Sequence, residues 1–289
     1  MKILHDVYQI DAFTNLPFNG NSAAVIFTDD LANEEMQAIA KEMNLSETAF
    51  ISSSDKADYK LKWFTPAIEV ELCGHATIAS LHYLAERNII PGNSSITFET
   101  LSGVIECRVD NDKYYMKLPV PDFKKFEGSY DEVTNVLGIA QNDLDDQYPF
   151  ILQNNGNLFI YVRSLNALKN LNPDYKELLK LSKENREFDE VTVFSLETFE
   201  KKNDAHLRFF APYYGIDEDP VTGSANGPLL LVLHRLGLIE KDIESKTFTF
   251  EQGDFLGRIG RVNVSFSPNK NELMISGNAV TIMKGELTY

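Results

Sequence analysis

The chain predicts a mixed α and β protein of two related lobes, each a curved sheet around one buried helix. Three observations carry this prediction. First, short strings recur in order: Leu61–Pro66 (LKWFTP) returns as Leu207–Pro212 (LRFFAP), an offset of 146 (207 − 61). Gly74-His75-Ala76 returns as Gly223-Ser224-Ala225 at 149 (223 − 74), and Thr97-Phe98-Glu99 as Thr249-Phe250-Glu251 at 152 (249 − 97). Offsets that grow steadily are those of a duplicated unit that later acquired small insertions. Second, in each copy a helix-length apolar run follows the glycine and strand-like segments surround it. Third, Pro119-Val120-Pro121 cannot continue a ladder and marks a linker near mid-chain.

Element by element, Asp6–Phe13 alternates like a strand and Ala23–Phe27 is a shorter one. Between them Thr14–Asn21 is rich in Asn, Pro and Gly, which is turn chemistry. Asp29 or Asp30 is placed to cap a helix running to about Met43, with Leu31, Met36, Ile39, Ala40 and Met43 on one face. Thr48–Ser52 and Tyr59–Phe64 read as strands, and Thr65–Gly74 as a loop. The helix that follows, to about Arg87, has little polar face, so strands should wrap it. Strands are expected at Ser95–Thr100, Gly103–Val109 and Tyr114–Leu118.

The second half repeats this grammar. Asn157–Arg163 is a strand, Asn172–Ser182 helical, and Glu190–Phe194 and His206–Phe210 strands. A helix runs from Gly223 to about Leu236, with Pro228 marking its first turn or a kink. Strands follow at Lys246–Glu251, Gly260–Ser265 and Leu273–Ser276. Val280–Leu287 has no counterpart in the repeat and should cross back to the first lobe. The lobes are therefore 1–118 with 278–289, and 119–277.

A length of 289 residues suits two domains, since each usually takes ~100–200 residues. With 43% hydrophobic residues, either half can bury a core. The 27 basic against 43 acidic residues give a net charge of −16, and no Lys/Arg stripe is concentrated anywhere. Nucleic acid is thus not an expected partner. Cys73 and Cys107 alone form neither a disulfide framework nor a zinc cage, so no metal is expected. The opening MKILHDVYQIDAF has no basic-then-apolar leader pattern. No run approaches the ~18 apolar residues of a membrane span, so the expectation is a cytoplasmic protein.

Chemistry concentrates where the repeats differ. Each buried helix starts at a glycine, Gly74 or Gly223, and free N–H groups at such starts attract anions. Two starts meeting across a cleft would hold a carboxylate from both sides; ordinary capping by Ser, Thr or Asp is the competing reading. Glu47, in NLSETAF, begins a half-buried strand. Aligning Thr48-Ala49-Phe50 with Thr192-Val193-Phe194 (192 − 48 = 144) sets Val191 opposite it. A carboxylate in one lobe only is a catalytic asymmetry, and burial would raise its pKa into the range useful for moving a proton. His75 stands where the other copy has Ser224, though a lone histidine is commonly structural. Asp219 before Pro220 is also a turn starter. His82 lies on the His75 face and reads as packing, and His5, His206 and His234 show no ligand spacing. Cys73, near a helix start, is either a thiolate or a small buried hydrophobe. Cofactor signatures fail: Gly253–Gly260 lacks the strand–GxGxxG–helix order, and neither GK[ST] nor GxSxG occurs.

Four ordered strings, IDAFTNLPFNGNSAAV (Ile10–Val25), NLSETAF (Asn44–Phe50), FTPAIEVELCGHAT (Phe64–Thr77) and DEDPVTGSANG (Asp217–Gly227), resemble the phenazine-biosynthesis PhzF-like isomerases. The resemblance covers essentially the whole chain. It implies the diaminopimelate epimerase-like fold, α+β with two pseudo-symmetric lobes, each a barrel-like sheet around a central helix. It also implies an active site between the lobes, a homodimer, a small carboxylate-bearing substrate and no cofactor. Position by position, Glu47 matches the acid/base that moves a proton between carbons. His75, Asp219 and Ser224 match residues that place substrate and assist proton traffic, and Ser46, Gly74 and Gly223 match substrate-contacting positions. Related epimerases use two cysteines; here Cys73 occupies the first position while DPVTGS has none. That favours a one-carboxylate proton shift over epimerisation through Cys73. A metabolite binder without turnover is the non-enzymatic alternative.

Overall fold

The computed structural model describes residues 3–185, 187–239, 242–244 and 246–289. The first half supplies β1 (Ile3–Ala12), β2 (Asn21–Phe27), α1 (Asn33–Met43), β3 (Glu47–Ser52), β4 (Tyr59–Phe64) and β5 (Glu69–Val70). It continues with α2 (Gly74–Glu86), β6 (Asn93–Thr100), β7 (Gly103–Asp110) and β8 (Lys113–Leu118). The second half begins with β9 (Phe123–Lys125), α3 (Tyr130–Leu137), β10 (Ile151–Gln153), β11 (Asn157–Tyr161), α4 (Leu165–Asn170) and α5 (Tyr175–Asn185). Then come β12 (Glu190–Ser195), β13 (Ala205–Ala211), β14 (Ile216–Asp219), α6 (Gly223–Leu236), β15 (Phe248–Gln252), β16 (Gly260–Ser267), β17 (Glu272–Gly277) and β18 (Ala279–Thr288).

All these strands belong to one continuous sheet, and the repeat is visible in its ladder. In lobe one β4 runs parallel to β6, with Tyr59 opposite Phe98. In lobe two β13 runs parallel to β15, with Ala205 opposite Phe250. Those partners differ by 146 (205 − 59) and 152 (250 − 98), the same offsets as the repeated strings. The lobes are stitched by antiparallel β8 and β17, from Leu118↔Leu273 to Tyr114↔Gly277. As expected from its lack of a repeat partner, β18 crosses back and pairs antiparallel with β1.

Each half-barrel wraps one apolar helix. Ten of the thirteen residues of α2 and nine of the fourteen of α6 are buried. Burial all round is possible because the polar members bond locally. Thr77 and Ser80 donate back to the carbonyls of Cys73 (2.6 Å) and Ala76 (2.7 Å). Asn226 donates to Thr222 O (2.8 Å) and Gln252 Oε1 (2.7 Å). The apolar members, such as Ile78, Leu81, Leu84, Leu229 and Leu233, are fully enclosed, each contributing roughly 1.5–3 kcal/mol. Pro228 lies inside α6 rather than in its first turn and supplies no N–H to the carbonyl of Ser224.

Several local expectations shift. Asp29 does not cap α1; it accepts from the backbone N–H of Ser53 (2.7 Å). The helix starts after Ala32, where Glu35 accepts from the Ala32 N–H (2.9 Å). The helix expected over Asn172–Ser182 is α5, which starts only at Tyr175, after Pro173, and α4 is a further short helix before it that was not expected. No helix among the described residues is long and apolar enough to cross a membrane.

The N-termini of α2 and α6 touch. A Cβ on Gly74 would lie 3.0 Å from Gly223 Cα, and one on Gly223 would lie 3.2 Å from Gly74 Cα and 2.6 Å from Ile275 Cδ1. An ordinary helical Gly→Ala change gains about 1 kcal/mol. Gly223→Ala should instead lose about 1–3 kcal/mol in denaturant unfolding, because backbone on the facing helix cannot yield as a side chain can. A gain in stability would show that the contact is not tight.

Candidate active site

The touching helix starts form the floor of a cleft of about 660 Å³ lined from both halves of the chain. Neither helix is capped by a side chain. The first N–H groups of a helix have no intrahelical acceptor, so those of Gly74, His75, Gly223 and Ser224 are available to a ligand. The expected alternative, ordinary Ser, Thr or Asp capping, does not occur here. Pro119, Val120 and Pro121 of the linker line the same cleft.

Glu47 opens β3, and its side chain points to the α2 side of the sheet, as Ala49 and Ile51 do. Only 7% of it is exposed. Its Oε2 lies 3.2 Å from His75 Nε2, yet the two are misaligned and neither atom has a hydrogen bond. Asn21 fixes the imidazole from the other side. Its amide donates to Asp219 Oδ1 (2.8 Å) and Val221 O (3.0 Å), two groups that only accept, so the nitrogen must face them. The same nitrogen lies 3.2 Å from His75 Nδ1, and since an amide nitrogen cannot accept from an Nδ1–H, the ring proton is assigned to Nε2, beside Glu47. Burial pushes His75 down to about 3, so the ring is neutral. Burial, and then the charge of Asp219, push Glu47 up to about 8.

Asp219 ends β14 and reaches the site from lobe two. Burial raises it to about 6 against the hydrogen bonds from Thr222, Asn21 and Ser46. Thr222 Oγ1 donates to its Oδ2 at 2.5 Å. Ser46 thus touches Asp219 rather than opening on the cleft, whereas Ser224 lines the cleft, half-buried. Cys73 Sγ lies 3.5 Å from His75 Nδ1. Burial and the nearby Glu47 charge raise its thiol well above the ordinary value, which disfavours a thiolate. Glu47, Cys73 and His75 offer three ligand-type atoms within 4.8 Å, but a thiol held protonated suits proton exchange better than coordination. At the position of Cys73 the second lobe has Thr222, so no second thiol faces the first.

The alignment of Glu47 with Val191 is off by one. Phe64 pairs with Thr48, and its repeat mate Phe210 pairs with Val191. Val191 is therefore the mate of Thr48, and Glu190 the mate of Glu47, an offset of 143 (190 − 47). Side-chain parity agrees: Ile51 and Phe194 share the central core, while Val191 and Val193 face the other way. Glu190 lines the cleft, half-buried, and burial with the charges of Asp189 and Asp219 pushes it up to about 8. The lobes thus each place a glutamate at the same strand position, and the asymmetry lies in what surrounds it. The step of three between successive offsets (149 − 146 and 152 − 149), run backward to 143, is the sequence signal for Glu190.

His82 and His206 are engaged within the fold. His82 lies 3.0 Å from both Tyr114 OH and Thr281 Oγ1. His206 has a carboxylate neighbour that its spacing did not suggest, Glu251 at 3.1 Å, fully buried in lobe two. Glu251 is already occupied by the N–H groups of Phe199 (2.7 Å) and Glu200 (2.9 Å) and by Asn203 (2.8 Å).

Comparison with known proteins agrees with this architecture. The family model for phenazine biosynthesis-like proteins matches residues 10–285. An uncharacterized isomerase of Clostridium acetobutylicum is 38% identical, covering 98% of both chains. The structure of a Bacillus anthracis phenazine biosynthesis protein of the PhzF family superposes over 100% of both chains with a TM-score of 0.91 and 32% identity. A hydroxyproline epimerase from Agrobacterium vitis, solved with trans-4-hydroxy-L-proline, shares only the fold: TM-score 0.66, 10% identity, 99% of this chain and 92% of that one.

The raised Glu47 carboxyl has a stability consequence. Its folded value lies above its unfolded one, so its contribution is full at low pH and is lost as pH rises through about 8. Between about pH 5 and pH 9 the wild-type protein should lose roughly 2–4 kcal/mol of stability that Glu47→Gln retains. Parallel pH–stability curves for the two proteins would contradict the burial of an ionising carboxyl.

Proposed function

The chain belongs to the phenazine biosynthesis-like family, whose relatives are named isomerases, and on that premise we propose a cofactor-independent proton shift within a small carboxylate-bearing substrate. The observation that carries this reading is Glu47: a deeply buried carboxyl with one unbonded oxygen, beside two uncapped helix starts. A carboxyl of raised pKa is poised both to accept and to return a proton near neutral pH.

In the ionised state Glu47 removes a proton from a carbon activated by the substrate's carboxylate or an adjoining double bond. The electron pair left behind moves into the conjugated system. Charge developing on the substrate oxygens is met by the N–H groups of Gly74, His75, Gly223 and Ser224, already oriented and needing no reorganisation. Glu47 then gives the proton to a second carbon on the same face, and the product is a double-bond isomer. His75, neutral with its proton on Nε2, stands 3.2 Å from Glu47 Oε2 and donates to the carboxylate once ionisation draws the two into line. Asp219 anchors Asn21 and so keeps the imidazole in that tautomer. Ser224 contributes a hydroxyl at the cleft surface.

Epimerisation through Cys73 has less support, since its thiol is held protonated and Thr222 replaces a partner cysteine. A phenazine precursor of the anthranilate type is one candidate substrate among cyclic acids.

Incubating small unsaturated carboxylates in D₂O tests the reading. Exchange should fall by ~10²–10⁴-fold in Glu47→Gln and persist in Cys73→Ala. Loss in Cys73→Ala with retention in Glu47→Gln would overturn the one-carboxylate mechanism. kcat/KM should rise with pH and level off near 8 as free Glu47 ionises. His75, titrating near 3, should add no limb of its own in the neutral range.

A further inference from the structure

Asp219, Thr222, Asn226 and Gln252 form a polar quartet in lobe two that lobe one lacks. The ladder fixes their mates. Phe209 pairs with Asp219 as Trp63 pairs with Val70, so Val70 answers to Asp219. His206 pairs with Glu251 as Lys60 pairs with Glu99, so the next residues, Gln252 and Thr100, are mates. At the helix-start offset of 149, Thr222 answers to Cys73 (222 − 73) and Asn226 to Thr77 (226 − 77). The lobe-one threonines bond locally, Thr77 to Cys73 O (2.6 Å) and Thr100 to Gly103 O (2.8 Å). A scaffold role common to both lobes therefore does not account for the quartet.

Gln252 ends β15 at the centre of this quartet and is 1% exposed. Its Oε1 accepts from the backbone N–H of Thr222 (2.9 Å) and from Asn226 Nδ2 (2.7 Å). Its Nε2 donates to the carbonyl of Asp219 (2.9 Å) and to Thr222 Oγ1 (3.1 Å). A backbone N–H only donates and a backbone carbonyl only accepts, so the amide stands one way round with its hydrogen-bonding capacity filled. That orientation dictates the next bond. Thr222 Oγ1 accepts from Gln252, so its own hydrogen goes to Asp219 Oδ2, at 2.5 Å. Asn21 Nδ2 donates to the other oxygen of Asp219 (2.8 Å), and the same nitrogen faces His75 Nδ1 (3.2 Å). Gln252 thus ties the backbone on both sides of Pro220-Val221. Beside it Gly253 packs on the same loop, where a Cβ would lie 2.7 Å from Pro220 O.

We propose that Gln252 is a positioning residue for the active site: its amide sets the direction of a hydrogen-bond chain, through Thr222, Asp219 and Asn21, that selects the His75 tautomer facing Glu47. The importance of that tautomer rests on the proton-shift reading. Without the Gln252 N–H, Thr222 is free to turn its hydrogen away, and Asp219 loses a donor and the anchor on its own carbonyl. Asn21 then loses its fixed partner, and nothing keeps the ring proton off Nδ1.

Nitrogen-15 NMR of the full chain labelled at histidine reads the tautomer at neutral pH with no substrate; His75→Gln assigns the resonances. In the wild type Nε2 should appear protonated and Nδ1 unprotonated. Gln252→Met, of similar size but without the amide, should shift the tautomer ratio toward Nδ1–H by at least about tenfold, and Thr222→Val should do the same. Thr222→Ser, which keeps the hydroxyl, should retain the wild-type ratio. The double variant Gln252→Met/Thr222→Val should shift no further than the larger single change, because both act through one chain. Lowered unfolding stability with an unchanged tautomer in Gln252→Met would mark a purely structural amide and overturn the proposal. So would a wild-type ring with its proton on Nδ1, or a shift in Thr222→Ser equal to that in Thr222→Val. Should Gln252→Met not fold, the two Thr222 variants decide alone. Glu47→Gln should lose deuterium exchange yet keep the tautomer, so failure of the chain and failure of the proton shift read out separately.

Discussion

Two helices meet N-terminus to N-terminus at Gly74 and Gly223, and the cleft exists because they do. Each start carries about half a positive charge in its unpaired N–H groups, so the like ends repel unless negative charge lies near. Only the absence of a Cβ on both sides allows the approach, and only the wrapping sheets hold it. Ladder pairing of β8 with β17 fixes the lobes side by side, and Ile275 of β17 packs against both glycines. An anion on this floor relieves a repulsion built into the backbone, which is a stronger warrant for carboxylate binding than either helix start alone.

Around that floor the electrostatics run the other way. Burial makes ionised carboxyls costly, so Glu47 and Glu190 are both raised to about 8, and Asp219, better hydrogen-bonded, to about 6. The duplication placed a glutamate at the same strand position twice, and the surroundings separate them. Glu47 is deep, beside a neutral imidazole oriented by Asn21; Glu190 is more open. In the functional reading, Glu47 is the one that moves a proton. The same desolvation serves both, since it keeps each carboxyl neutral until a ligand changes the local balance.

Much of this was legible in the chain, and the misses have physical causes. The repeat and its offsets reappear in the parallel ladders β4–β6 and β13–β15, because strand partners diverge together. Glu47, His75, Asp219 and Gly74 were brought together with Gly223 and Ser224 as the motifs implied. Glu190 was missed because Thr48-Ala49-Phe50 resembles Thr192-Val193-Phe194 one residue out of register. Similar residues occur on both faces of a strand, and identity carries no record of which face is buried. A one-residue slip therefore hides a cleft residue behind a core one. Asn21 was invisible for another reason: its partners Asp219 and Val221 lie nearly two hundred positions away, |i−j| of 198 and 200. Helix α3 sits between β9 and β10, where lobe one has no counterpart, so the repeat offered no template for it.

The central claim is that the cleft keeps Glu47 neutral near pH 7 and ready to exchange a proton. Carbon-13 NMR titration of δ-labelled glutamate tests it without knowledge of the substrate. Two resonances should titrate near 8, one vanishing in Glu47→Gln and the other in Glu190→Gln. A Glu47 resonance titrating in the ordinary range near 4.5 would contradict the account, because a fully ionised carboxylate at pH 7 is not the buried proton carrier described here.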